Sequence, residues 1–481
     1  MSLITRDTIN KELAVTSLQL DNNNHVIREN HGYESIITKI DVLKNYLLEV
    51  RNAKPGQKVI LANFFWPDYL AWYFACAELG IIFIVSDYPK SEVTLKKLEI
   101  YGDIDYIVYD HHCPPGFKHL RDKLINSKEV FDTYNNNSPT PILVNEDSVF
   151  MLSTSSGTTG TPKLIVHTHK FFASLLERNA KLYNLKREQK CFHSKGLHHG
   201  SVTGVYFLPT IKYCSNHYHA PFKFLPSEQI NSYGVDTREF VKAWVNLLQA
   251  EQINMCLMFY DQIECLNEFL DIESKTHDDL TIYVLSKIKP NIVANLAGKF
   301  KYTIKSIFGC TETSGPLFLP EITPINYKDV DSSNCGKPLD DFYHITINNQ
   351  SLLEVLMPDD TRIVTGDKFT IKHGDFIFGG RENLYRIRGQ TLYLDLLNEV
   401  IENITLLKRD SDFDVVIDQE YQKIYIRTTD DIDLNGLNKE LGLQLGTSNY
   451  YISTKIDKPR SEFFSGIKFD PEAIRIYCRN L

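Results

Sequence analysis

Ser153-Thr-Ser-Ser-Gly157-Thr-Thr-Gly160-Thr-Pro-Lys163 is the stretch whose reading decides this chain. It follows an apolar run, Val149 to Leu152, and precedes another, Leu164-Ile-Val166. Glycines at 157 and 160 let the backbone approach a ligand closely. The hydroxyls of Thr154, Ser155, Ser156, Thr158 and Thr159, with the exposed amides, can hydrogen-bond phosphate oxygens. A loop of this composition leaving a strand suits a phosphate grip, with Lys163 at its far end. Taken alone, it fits a Gly/Ser/Thr surface turn as well. It is not a Walker loop, because that pattern needs a glycine where Pro162 stands.

Around this stretch the text alternates helical and strand patterns. Ile36 to Arg51 reads as a helix, Lys58 to Ala62 as a short buried strand, Tyr69 to Leu79 as a second helix and Gly80 to Val85 as another strand. The rhythm resumes after Asp147, with strand candidates at Val149 to Leu152, Ile253 to Met258, Leu280 to Leu285 and Ile304 to Phe308. Such β-α-β alternation predicts an α/β fold with parallel sheet covered by helices. Between about 320 and 380 the pattern shortens to segments such as His344 to Ile347 and Leu352 to Leu356, which predicts antiparallel strands or a small β-barrel. The expected division is a large N-terminal domain, 1–380, of layered α/β subdomains plus that barrel, and a small α+β C-terminal domain, 381–481.

Bulk properties narrow the function. At 481 residues the chain is too long for one ordinary core. Its formal net charge of −9 comes without a basic cluster, so the footprint of a nucleic-acid binder is missing. Nine cysteines stand without metal-type pairs, and the odd count argues against a closed disulfide framework. The N-terminus lacks the apolar stretch of a signal peptide, and no run approaches the roughly 20 apolar residues that span a bilayer. A cytoplasmic location is the expectation.

The hydroxyl-rich string closely resembles the phosphate-binding signature of the acyl-adenylate-forming superfamily, which contains acyl-CoA synthetases, peptide-synthetase adenylation domains and beetle luciferases. Other segments resemble that family in order. Phe308-Gly309-Cys-Thr311-Glu312-Thr looks like its aromatic-Gly-x-Thr-Glu segment: the aromatic face can stack on adenine, Thr311 can meet a phosphate, and Glu312 supplies the hard oxygen that Mg²⁺ prefers. Thr365-Gly-Asp367 is similar to the ribose-binding triplet, and Gly380-Arg381 to the hinge, whose arginine helps hold the ribose and phosphate side. Asn334-Cys-Gly336-Lys-Pro matches a Gly-[KR]-Pro turn. In His198-His199-Gly200, His199 resembles the histidine lining the acyl pocket, although a bystander role among fifteen histidines reads equally well. Two departures stand out. The family's late lysine sits in a Ser-Gly-Lys loop, whereas here Ser465-Gly466-Ile-Lys468 carries one extra residue; Lys468 is the candidate, with Lys458 behind it. The glycine-rich acid-binding segment before Phe308 is replaced by Ile282-Tyr-Val-Leu-Ser286.

The resemblance implies activation of a carboxylic acid by ATP and Mg²⁺, with release of pyrophosphate. Lys468, His199, Thr311 and Glu312 would be the catalytic group. A rotation of the small domain would then pass the acyl group to a thiol, CoA or the phosphopantetheine of a carrier protein. The lost glycines and shifted lysine keep open a second reading, a member that binds nucleotide or partner without full catalysis. A third is a stand-alone enzyme loading an amine or carrier protein. The lack of a Phe-Asp-x-Ser-type segment favours a fatty or aryl acid over an amino acid.

Overall fold

The structure is a computed structural model. It describes residues 3–20, 26–62, 68–85, 97–109, 117, 120–138, 140–155, 163–193, 202–219, 248, 250–258, 263, 267, 280–285, 290–328, 331, 333–380, 384–387, 390–407, 412–418, 423–445, 451–458, 464–465, 468–469, 474–475 and 477. Two compact units make up the chain, the first holding most residues up to Gly379 and the second those from Gly380 onward.

The first unit holds three sheets. A six-stranded sheet runs in the order Leu124–Asn126, Tyr106–Tyr109, Lys58–Ala62, Ile82–Ile84, Val149–Ser155, Lys163–Thr168. Its first five strands are parallel, and the last folds back antiparallel on Val149–Ser155. Helix Asp68–Leu79 is apolar on all sides, and every residue from Tyr69 to Leu79 is buried, as a helix enclosed by other layers must be. An eight-stranded sheet has the order Glu321–Ile322, Thr303–Ser306, Thr281–Val284, Met255–Met258, Lys190–His193, Asn216–His219, Ala14–Leu20, Val26–Gly32. Its six central strands are parallel and only the two edges antiparallel. Met255–Met258 is buried at every residue, the mark of a strand covered on both faces.

The third sheet corrects an expectation. The order is Asn334–Gly336, Asp375–Gly380, Arg362–Lys372, Leu352–Leu356, His344–Ile347, an open antiparallel sheet in which the two end strands do not pair. A small β-barrel was the sequence expectation, and no closed barrel forms among the described residues. Alternating hydrophobicity sets which face of a strand is buried; closure depends on tilt and stagger, which that alternation does not encode. The buried face carries Leu353, Val355, Phe369 and Phe376 against Leu317 and Phe318.

In the second unit, Phe413–Asp418, Lys423–Thr428 and Thr454–Ile456 form a three-stranded sheet. Helices Leu394–Thr405 and Leu434–Leu445 supply Leu397, Val400, Ile401, Leu437 and Leu441 to the core that buries Val415, Ile417, Ile424 and Ile426. Among the described residues, no helix is long and apolar enough to cross a membrane.

Candidate nucleotide site

The hydroxyl-rich stretch begins and ends inside one hairpin. Strand Val149–Ser155 runs into it, strand Lys163–Thr168 leaves it, and Ser155 pairs with Lys163 across the base. Ser153 is buried, while Thr154 accepts a hydrogen bond from the Tyr101 hydroxyl at 3.3 Å. Ser156, Gly157, Thr158, Thr159 and Gly160 lie outside the described residues, as does the side chain of Lys163.

The aromatic-to-glutamate segment is a tight turn closed by Phe308 and Phe318. The Phe308 amide donates to the Phe318 carbonyl at 3.0 Å, and the Leu317 amide to the Phe308 carbonyl at 2.8 Å. Within the turn, the Ser314 hydroxyl donates to the Thr311 carbonyl at 3.0 Å and the Tyr343 hydroxyl to the Thr313 carbonyl at 2.7 Å. A Cβ on Gly309 would come within 2.5 Å of the Gly315 carbonyl oxygen, so only glycine permits this closure. The half-buried Phe308 ring meets Phe369 edge-on with centroids 5.2 Å apart and Phe378 at 5.6 Å. It therefore belongs to an aromatic cluster as well as to the turn.

Asp367 stands on strand Arg362–Lys372, where the register against Leu352–Leu356 shifts. Glu354 pairs with Val364 but Leu352 pairs with Lys368, so four steps on one strand face two on the other. Gly366 takes φ +65°, and the Asp367 amide donates to the Thr365 hydroxyl at 3.2 Å. Asp367 itself is buried. Burial pushes the Cys310 thiol up, and the Glu312 and Asp367 charges push it further. Two candidates 55 residues apart, one for metal and one for ribose, thus act on the same sulfur.

His167 ties the hairpin to the turn. It sits on strand Lys163–Thr168, and its Nε2 lies 3.1 Å from the Ser314 hydroxyl. Burial lowers its pKa to about 4, so the ring is neutral near pH 7. The sequence reading missed His167 and Ser314. Their signal was faint: two histidines in Val166-His-Thr-His169, and a hydroxyl just past Glu312.

Arg381 and His199 lie outside the described residues. Lys468 is described in its backbone alone, in a two-residue strand Lys468–Phe469 paired with Phe464–Ser465; its side chain is not. Among the described residues no group of three His, Cys, Asp or Glu side chains could hold a metal ion.

Comparison with known proteins shows the family. The sequence model of the AMP-binding enzyme family matches residues 26–361, most of the chain, and the chain belongs to that family. No curated protein sequence matches it. Among solved structures, it resembles o-succinylbenzoate CoA synthetase from Bacillus subtilis at 13% identity and TM-score 0.73, covering 97% of this chain and 96% of that one. An artificially fused adenylation–PCP di-domain from Klebsiella oxytoca is similar at 15% identity and TM-score 0.70, covering 98% and 99%. The amide bond synthetase McbA from Marinactinospora thermotolerans is similar at 14% identity and TM-score 0.68, covering 98% of each chain. The fold is therefore that of the adenylate-forming enzymes.

Proposed function

We propose that this protein activates a carboxylic acid with ATP, forming an acyl-adenylate and releasing pyrophosphate. The observation that supports this most is the match of the AMP-binding enzyme family over residues 26–361, together with the tie that His167 makes between the hydroxyl-rich hairpin and the Thr311–Glu312 turn. In this reading a carboxylate oxygen of the acid attacks the α-phosphorus. The bond from that phosphorus to the bridging oxygen breaks, and pyrophosphate leaves with the electron pair. The protein's work is positioning and charge stabilisation. Backbone and hydroxyl groups from Ser153 to Lys163 hold phosphate oxygens, and Thr311 meets the α-phosphate side. Glu312 holds Mg²⁺, which supplies neutralisation of the phosphate charge. Asp367 accepts from the ribose hydroxyls, and Arg381 holds the ribose and phosphate side by resemblance to the family. Lys468 is the cation of the adenylation step and His199 faces the acid, both by resemblance to the family.

The acyl group then goes to a thiol, CoA or a carrier-protein phosphopantetheine. This acceptor rests on resemblance to CoA synthetases and carrier-fused adenylation domains; the similarity to an amide bond synthetase leaves an amine as the competing acceptor. The missing amino-acid-holding segment favours a fatty or aryl acid.

ATP–pyrophosphate exchange across fatty, aryl and amino acids tests the reading, with wild type compared to Asp367→Ala. Exchange with at least one acid is expected, and loss of the charged hydrogen bond should raise KM for ATP about tenfold to a hundredfold. Tight ATP binding without exchange for any acid would favour the rival, a family member that binds nucleotide but does not turn over.

A further inference from the structure

Resting on the nucleotide reading above, we infer that His167 is a positioning residue for the Thr311–Glu312 turn, acting through Ser314. The His167 ring is enclosed: it stacks on Phe171 with centroids 5.0 Å apart and planes 10° apart, and Phe172 meets it at 5.2 Å and 71°. Rotation about its side chain is therefore blocked by two rings of helix His169–Leu182, which directly follows the hairpin.

The hydrogen-bond directions follow from counting protons. The Ser314 hydroxyl has one proton and the Thr311 carbonyl has none, so across their 3.0 Å contact the serine donates. Ser314 Oγ must then accept at its second contact, 3.1 Å away, which makes His167 Nε2 the donor and fixes the neutral tautomer. The Thr311 backbone also lies within reach of the imidazole. The result is a directional chain: ring N–H to serine oxygen, serine O–H to the Thr311 carbonyl.

That carbonyl is informative because it shares a planar peptide with the Glu312 nitrogen. Orienting it orients the backbone from which the Glu312 carboxylate projects. Ser314 takes φ +45°, unfavourable for a residue with a side chain, and its two hydroxyl contacts offset that cost. On the far side, Gly204 leaves room for the Ser314 carbonyl, where a Cβ would fall 2.4 Å from the oxygen. The hairpin that carries the hydroxyl-rich stretch thereby dictates where the metal-holding carboxylate stands.

The test compares wild type with His167→Phe, His167→Gln, Ser314→Ala and the His167→Phe/Ser314→Ala double variant. Readouts are ATP–pyrophosphate exchange, its Mg²⁺ dependence, and ATP binding without acid. His167→Phe keeps the ring stacking and removes the donor; His167→Gln keeps a donor at similar reach. His167→Phe and Ser314→Ala should each lower kcat/KM for MgATP by about tenfold to a hundredfold, the scale of a misplaced catalytic group, with KM for the acid unchanged. Both should raise the Mg²⁺ concentration giving half-maximal exchange. The double variant should be no worse than the poorer single one, since both break one chain, and His167→Gln should restore most of the activity. Should His167→Phe fail to fold, Ser314→Ala carries the same comparison by removing one oxygen. Unchanged Mg²⁺ dependence in Ser314→Ala, or effects that multiply in the double variant, would overturn the inference and leave the functional reading intact. A wild type that neither binds ATP nor exchanges would remove the functional reading, and this inference with it.

Discussion

Lys44 and Glu78 form an ion pair whose two side chains are wholly shielded from solvent, with Nζ donating to Oε2 at 2.7 Å. Arg6 closes the other side of the same carboxylate, its Nε at 3.0 Å from Oε1 and its Nη2 at 2.8 Å from Oε2. Burial alone would raise the Glu78 carboxyl; the hydrogen bonds from Arg6 and Lys44 outweigh it and hold the group below its ordinary range. This network pins the N-terminal segment to helices Tyr33–Glu49 and Asp68–Leu79.

Glu78→Ala would strand a buried ammonium. It should cost about 3–5 kcal/mol of unfolding free energy, as breaking buried pairs does. Arg6→Ala should cost less, because the arginine is partly exposed and Lys44 still neutralises Glu78. Urea denaturation of the two variants measures the difference, and equal losses would contradict it.

Gly309→Ala should disturb catalysis more than fold. Its new methyl would press on the Gly315 carbonyl, a backbone atom that cannot swing aside, and move residues 310–315 with Thr311 and Glu312 among them. A fall in kcat/KM for MgATP of about tenfold or more is expected. Steady-state kinetics with ATP varied checks it; a change below twofold would detach this turn from the chemistry.

Acid should destabilise the protein earlier than carboxylate titration requires. Burial lowers His167, His169 and His217 to about 4 from an ordinary value of 6.5. His169 uses Nδ1 as an acceptor for the Ile4 amide at 3.1 Å, a bond that protonation would abolish. A depressed histidine pKa means that the unfolded chain binds the proton first. Stability is therefore fully present above pH 6.5 and falls as pH drops toward 4. With three such groups the slope approaches about 4 kcal/mol per pH unit between those limits. Denaturant titrations from pH 7 to pH 5 give the slope directly, and His217→Phe should lower it by about one third.

Much of the fold was legible in the sequence because it is carried by local patterns. Lys58–Ala62, His344–Ile347 and Leu352–Leu356 fall where alternation or an apolar run puts them, and helix Asp68–Leu79 is one residue longer than read. The family was legible because glycines, hydroxyls and carboxylates stood in a familiar order. What escaped depends on partners far apart in the chain. Ala14–Leu20 and Val26–Gly32 were not read as strands, yet they complete an edge of the eight-stranded sheet by pairing with Asn216–His219 and with each other. The buried charges at Lys44 and Glu78 look like solvated helix positions until Arg6 arrives from the N-terminus. His167 and Ser314 are 147 residues apart and carry no shared pattern.

The displaced pairing beside Asp367 has an evolutionary consequence. Its excess length is an even number of residues, so Thr365, Asp367 and Phe369 remain in phase along the strand and all three are buried. Losing both extra residues would retract the carboxylate while leaving the aromatic layer correctly aimed; losing one would turn that layer inside out. Selection can thus adjust the reach of this carboxylate without renegotiating the interior beneath it.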